Sequence, residues 1–267
     1  MSDWKHDDVV VNGLKLHYTR TGGGKPPLVM VHGYSDNGLC WTRVARILEQ
    51  NYDLIMYDVR GHGLSDDAPD GGDSEEMVHD AAGLIEALEL DEPGMIGHSM
   101  GAAIAAGTAA FYPELLSYII LEDVPWWADA EARERWHQRG PAQPEKEPET
   151  RKEWVAFCHE RSPHWHEEEV QPWADAKMQF SEHEELDLTV PLPWQEIARK
   201  ITCPTLLITG DPEEGSIVTP KLAQEALALI PQAELAHIKG ASHNIRRSRF
   251  QAYMEVVQDF LAAQRQS

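Results

Sequence analysis

The pentapeptide Gly97-His98-Ser99-Met100-Gly101 decides the fold. The apolar run Pro93-Gly94-Met95-Ile96 precedes it and the small-residue helical run Ala102 to Tyr112 follows. It therefore reads as a Gly-x-Ser-x-Gly turn that carries a strand into a helix. A serine hydroxyl is a poor nucleophile unless it is held against a base and presented clear of the fold. A sharp turn presents it, and the backbone N–H of Met100 then points to where an oxyanion would form. The two glycines leave room for a tight turn and for close helix packing. By composition alone such a pattern arises in about one chain of this length in ten, so its context carries the reading.

Outward from this turn, short apolar runs alternate with helical patterns. Val9-Val10-Val11 and Leu14 to Tyr18 flank Asn12-Gly13, a hairpin signal. Leu28 to Val31, Leu54 to Tyr57, Gly94 to Ile96 and Ser117 to Leu121 read as strands. Trp41 to Glu49, Glu75 to Leu90 and Ala102 to Tyr112 read as helices between them. The rhythm stops after Asp123 and resumes with the strand Pro204 to Thr209. A helix from Thr219 to Ile230, a strand from Ala233 to Ile238 and a last helix from Arg246 to Ala263 follow. Alternating β and α elements imply a mostly parallel sheet covered by helices on both faces.

Between residues 125 and 200 the pattern is helical and charged, and it holds seven of the nine tryptophans. The expected organisation is a core of residues 1–123 and 201–267 interrupted by a helical cap at 124–200. Ligand pockets of open parallel sheets lie at the carboxyl ends of the strands, so an insertion leaving from such an end covers the pocket. Trp126 and Trp127, where the insertion leaves the sheet, are the candidate pocket residues. Most of the other tryptophans are expected to pack the cap helices.

Taken together, the motifs resemble the α/β-hydrolase superfamily over nearly the whole chain. The residues that carry the resemblance are His32-Gly33-Tyr34 after the third strand, Asp58 to Asp66 after the fourth, the Ser99 turn after the fifth, and Ser242-His243 after the last. The resemblance implies an eight-stranded, mostly parallel sheet. It makes Ser99 the nucleophile, His243 the general base, and the N–H groups of Met100 and Tyr34 the oxyanion donors. Aspartate at the position of Ser99 would suggest dehalogenase or epoxide hydrolase chemistry; serine points to acyl transfer through an acyl-enzyme. Family order places the acid after the seventh strand, three residues past Gly210, which selects Glu213. Asp211 is the rival on that loop, and Glu122 or Asp123, after the sixth strand, is the other alternative. His32 is expected to shape the oxyanion loop, and Arg60 to bridge loops.

The implied activity is a cofactor-free serine hydrolase, a carboxylic ester hydrolase with a lactone as a further substrate class. It would act on a small-molecule ester with an apolar or aromatic part. Carbon–carbon bond hydrolases and perhydrolases of the same fold are the alternatives, and a non-catalytic, receptor-like ligand-binding member is the competitor from another class. No metal site is expected, because His164-Trp165-His166 with Glu167 to Glu169 lacks metal-ligand spacing. A formal charge of −22 argues against nucleic acid as a partner. No apolar run reaches membrane-spanning length, and the first residues lack a signal-peptide core. The three cysteines, Cys40, Cys158 and Cys203, read as reduced, buried thiols. Together these suggest a cytoplasmic protein without a membrane partner.

Overall fold

The computed structural model describes residues 4–67, 74–127, 130–139, 147–180 and 192–265. Eight strands form one sheet: β1 (Lys5–Val11), β2 (Leu14–Arg20), β3 (Pro27–Val31), β4 (Asp53–Tyr57), β5 (Gly94–His98), β6 (Tyr118–Glu122), β7 (Thr205–Thr209) and β8 (Ala233–His237). Their spatial order is β1-β2-β4-β3-β5-β6-β7-β8. Only the β1–β2 and β2–β4 pairings are antiparallel; the other five are parallel. Asn12 and Gly13 both take positive φ, 51° and 83°, as a two-residue hairpin with the strands' right-handed twist requires. The pairing Val11↔Leu14 closes that hairpin.

The helices are α1 (Thr42–Leu48), α2 (Ser74–Ala87), α3 (Met100–Phe111), α4 (Ala130–Arg139), α5 (Arg151–Arg161), α6 (Glu167–Gln179), α7 (Trp194–Lys200), α8 (Pro220–Leu229), α9 (Ile245–Ser248) and α10 (Phe250–Gln264). Two apolar layers cover the sheet. One packs α2, α3, α7 and α8 on residues such as Val29, Ile55, Met95 and Leu121. The other packs α1 and α10 on Leu28, Met30, Leu54 and Ile120. The central strands β4 to β7 are buried along their whole length. This explains their continuous apolar runs, since a strand covered on both faces has no polar side to alternate with.

Two elements differ from the sequence expectation. The helix expected from Trp41 opens as a 3₁₀ turn, Gly38–Trp41, with α1 beginning at Thr42. The terminal helix is broken at Arg249 (φ −141°, ψ 54°) into the single turn α9 and the longer α10. Periodicity cannot register that break, because the apolar positions continue across it while the backbone does not.

The winding reverses at β3, which pairs with β4 on one side and β5 on the other. A crevice opens at the carboxyl ends where such a reversal occurs. Here those ends carry Tyr34 and Ser99. The segment between β6 and β7 contains α4 to α7, as a helical cap would. Within it, Trp154 meets Trp173 edge to face at 5.6 Å, and Trp165 meets the same ring at 6.0 Å. These contacts fasten α5 to α6. The side chain of Trp136 lies outside the described residues. Among the described residues no helix is long and apolar enough to cross a membrane.

Candidate active site

Ser99 follows the last residue of β5 and immediately precedes α3, with φ 52° and ψ −117°. Positive φ is costly for a residue with a Cβ, and it persists only where the surroundings enforce it. The flanking glycines show how close those surroundings are. A Cβ on Gly97 would stand 2.1 Å from the carbonyl oxygen of Gly101, and one on Gly101 would stand 2.2 Å from that of Val31. The helix thus presses directly on the sheet. Met100 is its first residue, so its N–H is one of the donors an α-helix cannot satisfy from within.

Three side chains from distant segments meet here. His243 Nε2 lies 3.0 Å from Ser99 Oγ, and His243 Nδ1 lies 2.7 Å from Asp123 Oδ2. A carboxylate can only accept, so Nδ1 carries the proton and Nε2 is left to accept from the serine hydroxyl. Asp123 is fully buried and follows the last residue of β6. Its carboxylate also accepts from Ser216 Oγ at 2.6 Å and from the N–H groups of Ile217 and Val218 at 2.9 to 3.1 Å.

The carboxylate on the imidazole is therefore Asp123, and Glu213 is corrected. Glu213 sits exposed on the short 3₁₀ turn Pro212–Glu214 after β7. That loop bends back through Gly215 (φ 98°) and presents backbone N–H groups to Asp123 instead of a carboxylate to His243. Asp211 braces the histidine loop instead. It accepts from the N–H of Gly240 at 2.6 Å and bonds His237 at 2.9 Å. The Gly240 N–H bond, assisted by His237, holds its carboxyl below the usual range. Glu122 accepts from the backbone N–H of Arg246 at 2.9 Å and pairs with its guanidinium at 3.1 Å. One signal for Asp123 was present in the sequence. Two consecutive carboxylates end a fully apolar strand, and buried charges require partners.

His32 is fully buried; its Nε2 accepts from Val59 N–H at 3.0 Å, so its Nδ1 donates to the Gly33 carbonyl at 2.8 Å. It thereby shapes the loop that carries Tyr34, as expected. Tyr34 is 44% exposed, and its ring meets those of His62 and Phe180 at 5.8 and 5.1 Å. Arg60 bonds Asp80 of α2 through two nitrogens, at 2.6 and 2.9 Å, so it ties its loop to a helix and not, as expected, to another loop. Trp126 is buried and stacks on Trp194 at 5.0 Å, and the Trp194 indole N–H donates to the Trp127 carbonyl at 3.1 Å. Trp127 itself is half-buried. The three thiols are buried, which pushes Cys40 up to about 12 and Cys158 and Cys203 to about 11.

His98 is the second residue of the serine turn. It is buried between Gly33 and the histidine loop, where its Nε2–H donates to the His243 carbonyl at 3.1 Å. Burial, then the charge of Arg246, pushes its imidazole well below the ordinary range.

A model described as the alpha/beta hydrolase family matches residues 28–257. N-formylmaleamate deformylase of Pseudomonas putida is 26% identical over 276 residues, covering 95% of both chains. (E)-2-((N-methylformamido)methylene)succinate hydrolase of Acinetobacter baylyi is 27% identical over 227 residues, covering 80% of this chain and 83% of that one. The solved structure of E-2-(acetamidomethylene)succinate hydrolase superposes with a TM-score of 0.78 at 21% identity, covering 97% of this chain and 99% of the other.

Proposed function

The chain belongs to the alpha/beta hydrolase family, and from that premise we propose that it is a serine hydrolase cleaving a carboxylic acyl bond through an acyl-enzyme. The carrying observation is the continuous hydrogen-bonded chain Asp123–His243–Ser99 at the carboxyl edge of the sheet. Ser99 Oγ attacks the substrate carbonyl while His243 Nε2 takes its proton. The alkoxide is received by the N–H groups of Met100 and Tyr34, which follow β5 and β3 on neighbouring strands. Asp123 keeps the imidazole in the Nδ1–H tautomer and stabilises the imidazolium. His243 then returns the proton to the leaving group, and water, activated in the same way, releases the acid and restores the Ser99 hydroxyl.

A carboxylic ester is the first substrate class of this reading, and Trp127, half-buried shortly after Asp123, would favour an apolar or aromatic part. N-acyl bonds form a second class, supported by the formyl and acetamido groups in the relatives' names and by the end-to-end match to the deformylase. No cofactor enters any step. The test is turnover of p-nitrophenyl acetate and butyrate and of N-formyl amides, together with labelling by a fluorophosphonate. Hydrolysis and covalent labelling of Ser99, both abolished in Ser99→Ala, are expected. Absence of labelling, or turnover surviving in Ser99→Ala, overturns the proposal and favours a non-catalytic binding protein or another nucleophile.

A further inference from the structure

Two consecutive arginines, Arg246 and Arg247, follow His243 on the single turn α9, and both are buried. Both approach Asp36, Arg246 at 3.6 Å, and each also has a further carboxylate of its own. Arg246 donates through its backbone N–H and Nη1 to Glu122, the residue before Asp123. Arg247 Nη2 lies 2.9 Å from Asp36 Oδ2, two residues beyond Tyr34 on the loop after β3. Its Nε lies 3.4 Å from Glu169 on α6, its Nη1 donates to Asn244 Oδ1 at 3.0 Å, and its guanidinium covers the Trp165 ring at 4.6 Å. Asp36, Glu122 and Glu169 are themselves buried.

Stability alone does not account for this arrangement. Removing guanidinium and carboxylate groups from water is expensive, and well-packed apolar residues of similar volume commonly serve stability as well or better. What apolar contacts lack is direction. A forked guanidinium fixes both distance and angle to a carboxylate. The front of the histidine loop is already pinned by Asp211, through its N–H to the Ala241 carbonyl and its carboxylate to Gly240 N–H. The rear end continues into α9, a single turn too short to hold its position without tertiary contacts.

We infer that Arg246 and Arg247 are positioning residues that register His243 simultaneously against the acid strand, the oxyanion loop and the cap. Arg246 fixes the base loop to β6, and so His243 to Asp123. Arg247 fixes it to the loop of Tyr34, and so the base to an oxyanion donor, with α6 tied to the same point. Reinforcing ties join α6 to that loop: Asn37 donates to Gln179 at 2.8 Å, and Lys177 bonds the Ser35 carbonyl at 3.0 Å as well as its hydroxyl. The catalytic consequence rests on the hydrolase reading above.

The test replaces the acidic partners. Glu122→Gln, Asp36→Asn and Glu169→Gln are compared with a control, Asp53→Asn. The control breaks the Arg20–Asp53 pair at the amino end of β4, the opposite edge of the sheet from the site. Three quantities are read: the melting temperature, kcat and KM on a nitrophenyl ester, and the downfield proton resonance of His243 Nδ1–H. Glu122→Gln and Asp36→Asn are expected to lower kcat about ten- to a hundredfold, the cost of displacing a reacting group by a fraction of an ångström to an ångström. KM should stay within about threefold, and the resonance should shift or broaden; Glu169→Gln should act in the same direction, less strongly. The control should lose melting temperature only. Where a variant does not fold, Arg247→Lys, which keeps the charge but cannot fork between two carboxylates, carries the same expectation. Parental kcat and an unmoved resonance in the folded variants overturn the inference. Should the parent hydrolyse nothing, the functional reading fails, while the resonance still decides whether the arginines position His243.

Discussion

Ser216 donates its hydroxyl to Asp123 across 2.6 Å, so the loop expected to supply the acid supplies the donors that hold it. The same hydroxyl accepts from the Gly210 N–H at 3.1 Å. Ser216 therefore ties the end of β7 to the end of β6, and the adjacent N–H groups of Ile217 and Val218 complete the grip. A carboxylate with this many partners is confined to one rotamer, which is what orienting an imidazole demands.

Asp123→Asn is expected to reduce kcat by about 10⁴, because an amide can donate to Nδ1 and so favours the wrong tautomer. Glu213→Gln should stay within about twofold of the parent, since its exposed position is remote from the bonded chain. Steady-state kinetics of the two variants check this directly. The reverse ranking would restore Glu213 as the acid.

His243 Nε2 is the group within reach of the Ser99 hydroxyl proton, so removing the imidazole should remove the general base. His243→Gln should lose at least about a hundredfold in kcat, within the range general-base catalysis supplies. Steady-state kinetics of parent and variant are the measurement. A variant retaining a tenth of parental activity contradicts the assignment.

The two adjacent tryptophans should separate by effect. Trp126 stacks on Trp194 in the core, so Trp126→Ala should cost about 3–5 kcal/mol of stability. Trp127 is half-buried and contributes its carbonyl to Trp194, a bond that survives truncation of its side chain. Trp127→Ala should raise kcat/KM for bulky esters relative to acetate, and it should cost less stability than the loss of the buried Trp126. Denaturation curves and an ester panel distinguish these outcomes, and an unchanged selectivity ratio would make Trp127 a packing residue.

Stability should carry an acid-labile component from Asp36. Burial alone would raise its carboxyl, but Arg247, Lys177 and Arg246 outweigh burial and hold it below the ordinary value of 3.8. A carboxylate lowered in the folded state stabilises the protein at all pH values above its unfolded value, and this contribution disappears as pH falls through the folded one. Parent and Asp36→Asn should thus differ most in melting temperature near neutrality, and the gap should narrow only below about pH 4. A gap that is constant down to pH 2 refutes this.

The sheet and the strained turn that presents Ser99 were legible in the chain because each depends on residues close in sequence. Continuous apolar runs of five residues mark strands buried on both faces. Gly97-His98-Ser99-Met100-Gly101 specifies its own turn, since the two glycines are there for the sub-3 Å approaches that no Cβ could make. The Asn12-Gly13 hairpin is equally local. The acid was not legible in this way. Glu122, Asp123, Asp211 and Glu213 all lie at or beyond the carboxyl ends of β6 and β7, which are neighbours in the sheet, so topology brings both loops to His243. Which carboxylate bonds the imidazole depends on a pairing across 120 residues and on the backbone N–H groups that fold back onto it. The paired arginines were hidden for the same reason. In sequence, Arg246-Arg247 opens what reads as an ordinary helix; only packing against Glu122, Asp36 and Glu169 takes both out of water. Local patterns thus determined which elements form and where Ser99 sits, while the partners of buried charges were decided by the tertiary structure, because desolvation is satisfied by proximity in space and not by order along the chain.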